Sequence, residues 1–211
     1  MPNPKLAAPE VAAIEITGTT RQVFIMRSAL AAGTVYGLAS VGPFVSRAMA
    51  QEGGGDVEIL NFALTLEYLE AAYYKQALAE TKLASEVKSL ATEIQENEEA
   101  HVEALIVTIR DLGGEPVKAP GVDFGKAFAN EASFLELAQT LEDTGVSAYN
   151  GAAPAIESTE VLAAAGSIVQ IEARHAAAIR LLRDENPAPV GFDEALSTDE
   201  VLEAVMPFVK A

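Results

Sequence analysis

The sequence predicts an all-α protein, an antiparallel four-helix bundle with a long crossover between its second and third helices and a short C-terminal helix. Three observations carry that reading. Apolar residues recur at helical spacing in four blocks between positions 56 and 184. No block shows the alternating β-branched pattern that a sheet requires. Glycine and proline cluster between the blocks so as to leave two short connections and one long one, the arrangement of a bundle with a single crossover. A chain of 211 residues, half of them hydrophobic, is long enough to bury a sizeable core and too apolar to stay disordered.

The first fifty residues stand apart from this pattern. Ala29 to Val45 is rich in Ala, Gly and Val and carries no charge; Arg21 and Arg27 precede it, Arg47 follows it, and Ala48, Met49 and Ala50 close it as a small-x-small site. That is the order of an export signal cleaved after Ala50. The apolar run of 17 residues is shorter than the roughly 20 of a membrane-spanning helix. An uncleaved anchor or a loosely packed N-terminal helix is the alternative. The run Thr20 to Met26 resembles the twin-arginine export box, with Gln22 where the second arginine is expected; that resemblance implies a protein exported already folded, to the periplasm or beyond the cell. The membrane is then a partner only during export.

The bundle occupies residues 56–184. After Gly53, Gly54 and Gly55, a first helix from about Asp56 to Glu80 puts Leu60, Leu64, Ala71, Tyr74 and Leu78 on one stripe. A second, from about Ser85 to Leu112, uses Val87, Leu90, Ile94, Leu105 and Ile109 and stops at Gly113 and Gly114. Pro116, Pro120, Gly121 and Gly125 make Glu115 to Asn130 a long connection with a short turn near Phe124 and Phe128. A third helix, about Glu131 to Ala153, uses Leu135, Ala138, Gly145, Tyr149 and Ala152. The fourth, about Ser158 to Asp184, uses Leu162, Ala165, Ile168, Ile179 and Leu182. The tail, 185–211, holds one short helix capped by Ser197 or Thr198, with Asp199 and Glu200 in its first turn.

The two helical pairs look alike. Thr65, Leu66, Glu67 recurs as Thr140, Leu141, Glu142, and Tyr74 and Tyr149 each follow their glutamate by seven residues. The second helix carries Glu98 and His101 on its apolar stripe, and the fourth carries Glu172 and His175 on its own. A lone Glu-x-x-His on a helix reads as a surface ion pair. Two of them, in phase with the buried face and each some 30 residues after a stripe glutamate, point to an interior site.

Composition then limits the chemistry. With no Cys, disulfides, thiolate metal sites, iron–sulfur clusters and thiol nucleophiles are excluded. A net charge of −17, or −19 for 10 basic against 29 acidic residues once the first fifty are removed, excludes a basic face for nucleic acid. Four buried carboxylates with no Lys or Arg on their stripes would each cost several kcal/mol or take up a proton. Two divalent cations would neutralise them, and neutral imidazoles would complete the ligand sets without adding charge. Oxygen-rich sets finished by imidazole suit Fe and Mn, and suit Zn less well. The expected ligands are Glu67, Glu98, His101, Glu142, Glu172 and His175, holding two Fe ions or their Mn counterparts.

At these residues the chain resembles the ferritin-like superfamily. Glu-Ala-Arg-His-Ala (172–176), Gly-Ala-Ala-Pro-Ala-Ile (151–156) and Asn-Glu-Glu-Ala-His (97–101) are similar to the bacterial and plant ferritin-like domain family that includes desiccation-related proteins. The resemblance implies terminal ligands at Glu67 and Glu142, bridging ligands at Glu98 and Glu172, and one histidine for each metal. It implies oxidation of Fe(II), reduction of O2 or peroxide, or iron storage, with Fe(II), O2 or peroxide as the small-molecule partners. The absent Cys removes a rubredoxin-type centre, and Met206, the one Met beyond the first fifty residues, lies in the tail, away from where a haem-binding Met of a bundle helix would be. Classical cage ferritins lack the second Glu-x-x-His.

The expected activity is therefore that of a di-metal oxidoreductase of the bacterial cell envelope, with no catalytic side chain beyond the metal site. The alternatives are a non-catalytic stress or desiccation protein that binds metal for stability or sequestration, and an acidic interaction module; a homo-oligomer is compatible with each. Glu70, matched by Gly145 in the second half, is read as solvent-exposed rather than as an extra ligand. Tyr74 and Tyr149 are read as core, with hydrogen bonding to the ligands as the alternative, and Arg174 as surface.

Overall fold

The computed structural model describes residues 55–210; the expected export signal and its cleavage after Ala50 lie outside the described residues. The four predicted helices are present: α1 Gly55–Glu80, α2 Ser85–Asp111, α3 Glu131–Ala152 and α4 Thr159–Leu182. The tail folds as α5 Thr198–Val205. Among the described residues there is no strand, only an isolated antiparallel bridge between Val122 and Val209, and no helix is long and apolar enough to cross a membrane. Helices α1 and α2 pair most extensively, as do α3 and α4. Register across the bundle is antiparallel: Tyr74 of α1 meets Glu142 of α3 while Tyr149 meets Glu67.

Each helix ends where its local chemistry dictates. At the end of α2, Gly113 takes a left-handed φ of 79°, its N–H donates to the Arg110 carbonyl and the Gly114 N–H to the Ile109 carbonyl, which is a Schellman closure. Gly114 also lets α1 approach, since a Cβ there would stand 2.5 Å from Val57 Cγ1. Asn130 caps α3 by accepting from Ser133 N while the Ser133 hydroxyl accepts from Asn130 N, a reciprocal capping box. Ser158 caps α4, and Asp56 at the start of α1 accepts from the backbone N–H groups of Glu157 and Ser158, which ties the two helices together.

The crossover is held at both ends. Buried Asn61 of α1 donates to the Glu115 carbonyl and accepts from Val117 N, so its amide is satisfied. Farther along, Asp123 N donates to Phe208 O and Lys210 N to Gly121 O, so the chain's last residues pin the connection. Phe124 packs edge-on to Tyr73 at a centroid distance of 5.0 Å, in the expected short turn that forms a 3-10 helix at Ala127–Ala129.

Two stripes differ from expectation. On α4 the buried row runs Val161, Ala165, Ile168, Glu172, His175, Ile179, which leaves Leu162 one step off it and 40% exposed. On α1 burial wraps most of the helix, adding Leu66, Leu69, Tyr73 and Ala77, with Ala71 and Leu78 only half-buried. Leu66 is covered by α5, whose Val201 and Val205 pack on it and on Ala148 of α3, whereas Leu69, Tyr73 and Ala77 are buried with Phe124 and Ala127 of the crossover and Phe134 of α3.

Candidate metal centre

The apolar stripes deliver all six predicted side chains to one place. Glu67 projects from α1, Glu98 and His101 from α2, Glu142 from α3, and Glu172 and His175 from α4; the four carboxyl groups are fully buried and the imidazoles nearly so. Their ligand atoms form two overlapping groups, each within a span of 4.8 Å: Glu67, Glu98, His101 and Glu172, and Glu98, Glu142, Glu172 and His175. The imidazole centroids are 6.3 Å apart.

Oxygen by oxygen, the two groups share a plan. Glu98 turns Oε2 to His101 Nδ1 at 3.1 Å and Oε1 to His175 Nδ1 at 3.0 Å. Glu172 likewise turns Oε1 to His101 Nδ1 at 3.0 Å and Oε2 to His175 Nδ1 at 3.7 Å. Glu67 addresses only His101, at 3.2 Å, and Glu142 only His175, at 3.3 Å. Two carboxylates thus span both groups and two serve one each.

The tyrosines complete the plan across the pseudo-two-fold. The Tyr74 hydroxyl donates to Glu142 Oε1 and the Tyr149 hydroxyl to Glu67 Oε1, so each glutamate has its outer oxygen fixed and its Oε2 turned inward. Both readings of the tyrosines hold together: they are core residues and hydrogen-bond donors to the site. Glu70, expected in solvent, is instead only 3% exposed, because the space opposite it is empty of a side chain at Gly145. The signal for this was in the sequence, in that the buried row of α1 passes through 67, 70 and 74 at helical spacing. Asn97, which sequence reasoning passed over, places its amide 3.0 Å from His175 Nε2. Arg174 is exposed, as expected.

Without cations the cluster balances itself with protons. Burial disfavours the imidazolium of His101, but the carboxylates of Glu172, Glu67 and Glu98 outweigh it and push its pKa up to about 12. For His175 burial is likewise outweighed, by Glu142, Glu172 and Glu98, with the same result of about 12. Burial raises Glu142 to about 8, and raises Glu67 and Glu70 well above the ordinary carboxylate value. Against burial, the histidines hold Glu98 down at about 2.

The donor set fits a pair of divalent cations. Glu98 Oε1, Glu142 Oε2, both oxygens of Glu172 and His175 Nδ1 are buried without a hydrogen bond, although the ion-pair distances are short. These atoms converge at close range but out of line with one another's protons. Buried polar atoms left so are uncommon in folded proteins and call for an occupant. Among the described residues no lysine or arginine is buried. One Glu from each of two helices and a Glu-x-x-His from each of the other two is the ligand plan of di-metal carboxylate bundles.

Comparison with known proteins agrees with the fold. No curated protein matches the chain at a significant level. Residues 55–185, the whole bundle and the greater part of the chain, match the family model of the ferritin-like domain, and the protein belongs to that family.

Proposed function

We propose that this protein is a di-metal oxidoreductase that oxidises Fe(II) or reduces O2 or peroxide, with Fe or Mn as its resident ions. The observation that supports this reading most is the convergence of unpartnered carboxylate oxygens and a ring nitrogen in a buried, doubly repeated arrangement. Glu67 and Glu142 would be terminal ligands, Glu98 and Glu172 bridging ligands, and His101 and His175 would each hold one ion through Nδ1. Two such ions would supply one-electron redox chemistry toward Fe(II), O2 or peroxide.

The chain's own residues set the conditions for that chemistry. Tyr74 and Tyr149 hold the terminal carboxylates in one rotamer by donating to their outer oxygens. Leu64, Ile94, Leu105 and Ile168, each buried about one turn from a site residue on its own helix, make the surroundings apolar, and a low-dielectric setting strengthens charge interactions. The protons held on the imidazoles and on Glu142 are those that ion binding releases.

Elemental analysis after anaerobic Fe(II) loading tests the reading. About two ions per chain are expected; fewer than one Fe or Mn would sink it. Ferroxidase and peroxidase assays on the loaded protein and on His101→Ala then test catalysis, and unchanged turnover in the variant would return the protein to a storage or protective role. We also propose that the charge-free run between Arg27 and Arg47 directs export to the cell envelope. A cell-envelope fraction whose protein begins at Gln51 supports this, and one that begins at Met1 contradicts the cleavage.

A further inference from the structure

The site's two-fold repeat is broken twice, and both breaks fall on the same side. The first is Glu70. Its counterpart on α3 is Gly145, and a Cβ built there would stand 3.1 Å from Glu70 Oε1 and 3.7 Å from Glu172 Oε2. The carboxyl group of Glu70 therefore flanks, together with that oxygen of Glu172, the space a side chain at 145 would fill. Glu172 Oε2 is the oxygen that faces His175, whereas Oε1 faces His101. The seventh acidic or imidazole side chain of the interior is thus placed beside the His175 half.

The second break is Asn97. It precedes Glu98 on α2, and the equivalent residue on α4, preceding Glu172, is Ile171. The Asn97 amide lies 3.0 Å from His175 Nε2, with Nδ2 placed toward the ring. An amide presents a donor and an acceptor that exchange places by a half-turn about its last bond. With its oxygen toward the ring, Nε2–H donates to Asn97, and the Nδ1 proton is the one a cation displaces, which turns the Nδ1 lone pair toward Glu98 and Glu142. That fixes both ring orientation and tautomer, which a partner on the far nitrogen of a metal-binding imidazole commonly does. Ile171 offers His101 no such partner.

We infer that the two ion positions are inequivalent and fill in order: the His175 position, with Glu70 as an additional carboxylate and Asn97 anchoring the imidazole, binds a divalent cation before the His101 position. The inference deepens the di-metal reading and rests on it. An extra carboxylate adds attraction for a cation in a low-dielectric interior, and a preset ring removes a cost of ordering at the moment of binding. The His101 position has the same four ligands in kind but neither aid.

Anaerobic titration of metal-free protein with Mn(II), followed by calorimetry and by the electron paramagnetic resonance of free Mn(II), tests this. Two steps are expected, separated by about tenfold or more in affinity, the scale on which partners of metal ligands act. Glu70→Gln weakens the tighter step by about tenfold and leaves the other in place. Glu67→Gln, at a ligand of the His101 position alone, does the reverse. Asn97→Leu, at a half-buried residue that the core does not depend on, weakens the tighter step as Glu70→Gln does and serves if the latter does not fold. Two equal steps, or a Glu70→Gln effect confined to the weaker step, overturns the ordering while leaving the di-metal reading intact. No binding of Mn(II) or Fe(II) at all overturns both.

Discussion

At the scale of single residues, the site depends on the hydrogen bonds that aim its carboxylates. Tyr74 and Tyr149 sit in the core as aromatic rings do, yet each hydroxyl reaches across the bundle to a glutamate of the opposite half. A hydrogen bond to a carboxylate is worth about 1.5–3 kcal/mol, and its loss leaves a buried oxygen bare. Tyr149→Phe should therefore destabilise the ion-loaded protein by about 1–3 kcal/mol in denaturant unfolding, with Tyr74→Phe alike because the two halves match. A tyrosine serving only as packing would give a much smaller change, since the ring is retained. Tyr149 also lines an apolar pocket with Leu60, Phe62, Leu66 and Ala148.

At the scale of elements, α5 carries more than its eight residues suggest. It is joined to the bundle by a segment whose Leu196 N–H donates to the Ser147 carbonyl at 3.0 Å. Its own start is a capping box between Ser197 and Glu200. The approach of this segment to α3 requires Gly151, where a Cβ would lie 1.8 Å from the Leu196 carbonyl oxygen. Gly151→Ala should push the segment away at a cost of about 1–3 kcal/mol and expose Leu66 and Ala148. Hydrogen exchange of the α5 amides reads this directly: they should exchange faster in Gly151→Ala while α2 amides keep their protection. Ser197→Ala should cost about 1 kcal/mol through the lost cap, without exposing α3. Equal exchange in the parent and Gly151→Ala would show that α5 does not depend on this approach.

Across the whole molecule, the interior charge links stability to pH. In the metal-free protein the folded state holds protons that the unfolded chain gives up: His101 and His175 up to about 12 from an ordinary 6.5, and Glu142 up to about 8 from 4.5. The stability these groups contribute is fully present below their unfolded values and is lost as pH rises through the folded ones. Glu98 acts in the opposite sense, contributing above 4.5 and losing its share as pH falls through about 2. Metal-free protein should therefore melt at a progressively lower temperature from about pH 5 to about pH 9, by about 2–4 °C for each kcal/mol lost. Cations take the place of those protons, so the loaded protein should show a flatter profile in the same thermal scans. A metal-free profile that rises over this range would contradict the interior protonation described.

Much of this was legible in one dimension. Helix type and order, the Gly113 stop, the Asn130 boundary and the six interior carboxylate and imidazole residues all follow from local periodicity and local capping, because a 3.6-residue repeat fixes which side chains share a face. The likeness of the two halves was equally a property of the string. What the string left open depended on a neighbour. Leu162 looked apolar enough for the core but falls one step off the row set by Glu172 and His175, and the row's rotation is decided by what α4 packs against. Glu70 read as solvent-facing because a carboxylate ordinarily avoids burial; only the packing of α1 against the bare backbone of Gly145 gives it an interior place. The cross-pairing of Tyr74 with Glu142 and Tyr149 with Glu67, and the reach of Asn97 to His175, join residues 68 to 82 positions apart. Sequence determined which side chains each helix turns inward, since that is a matter of local geometry; tertiary structure alone decided which of them meet, because helix rotation and register are set by packing between segments distant in the chain.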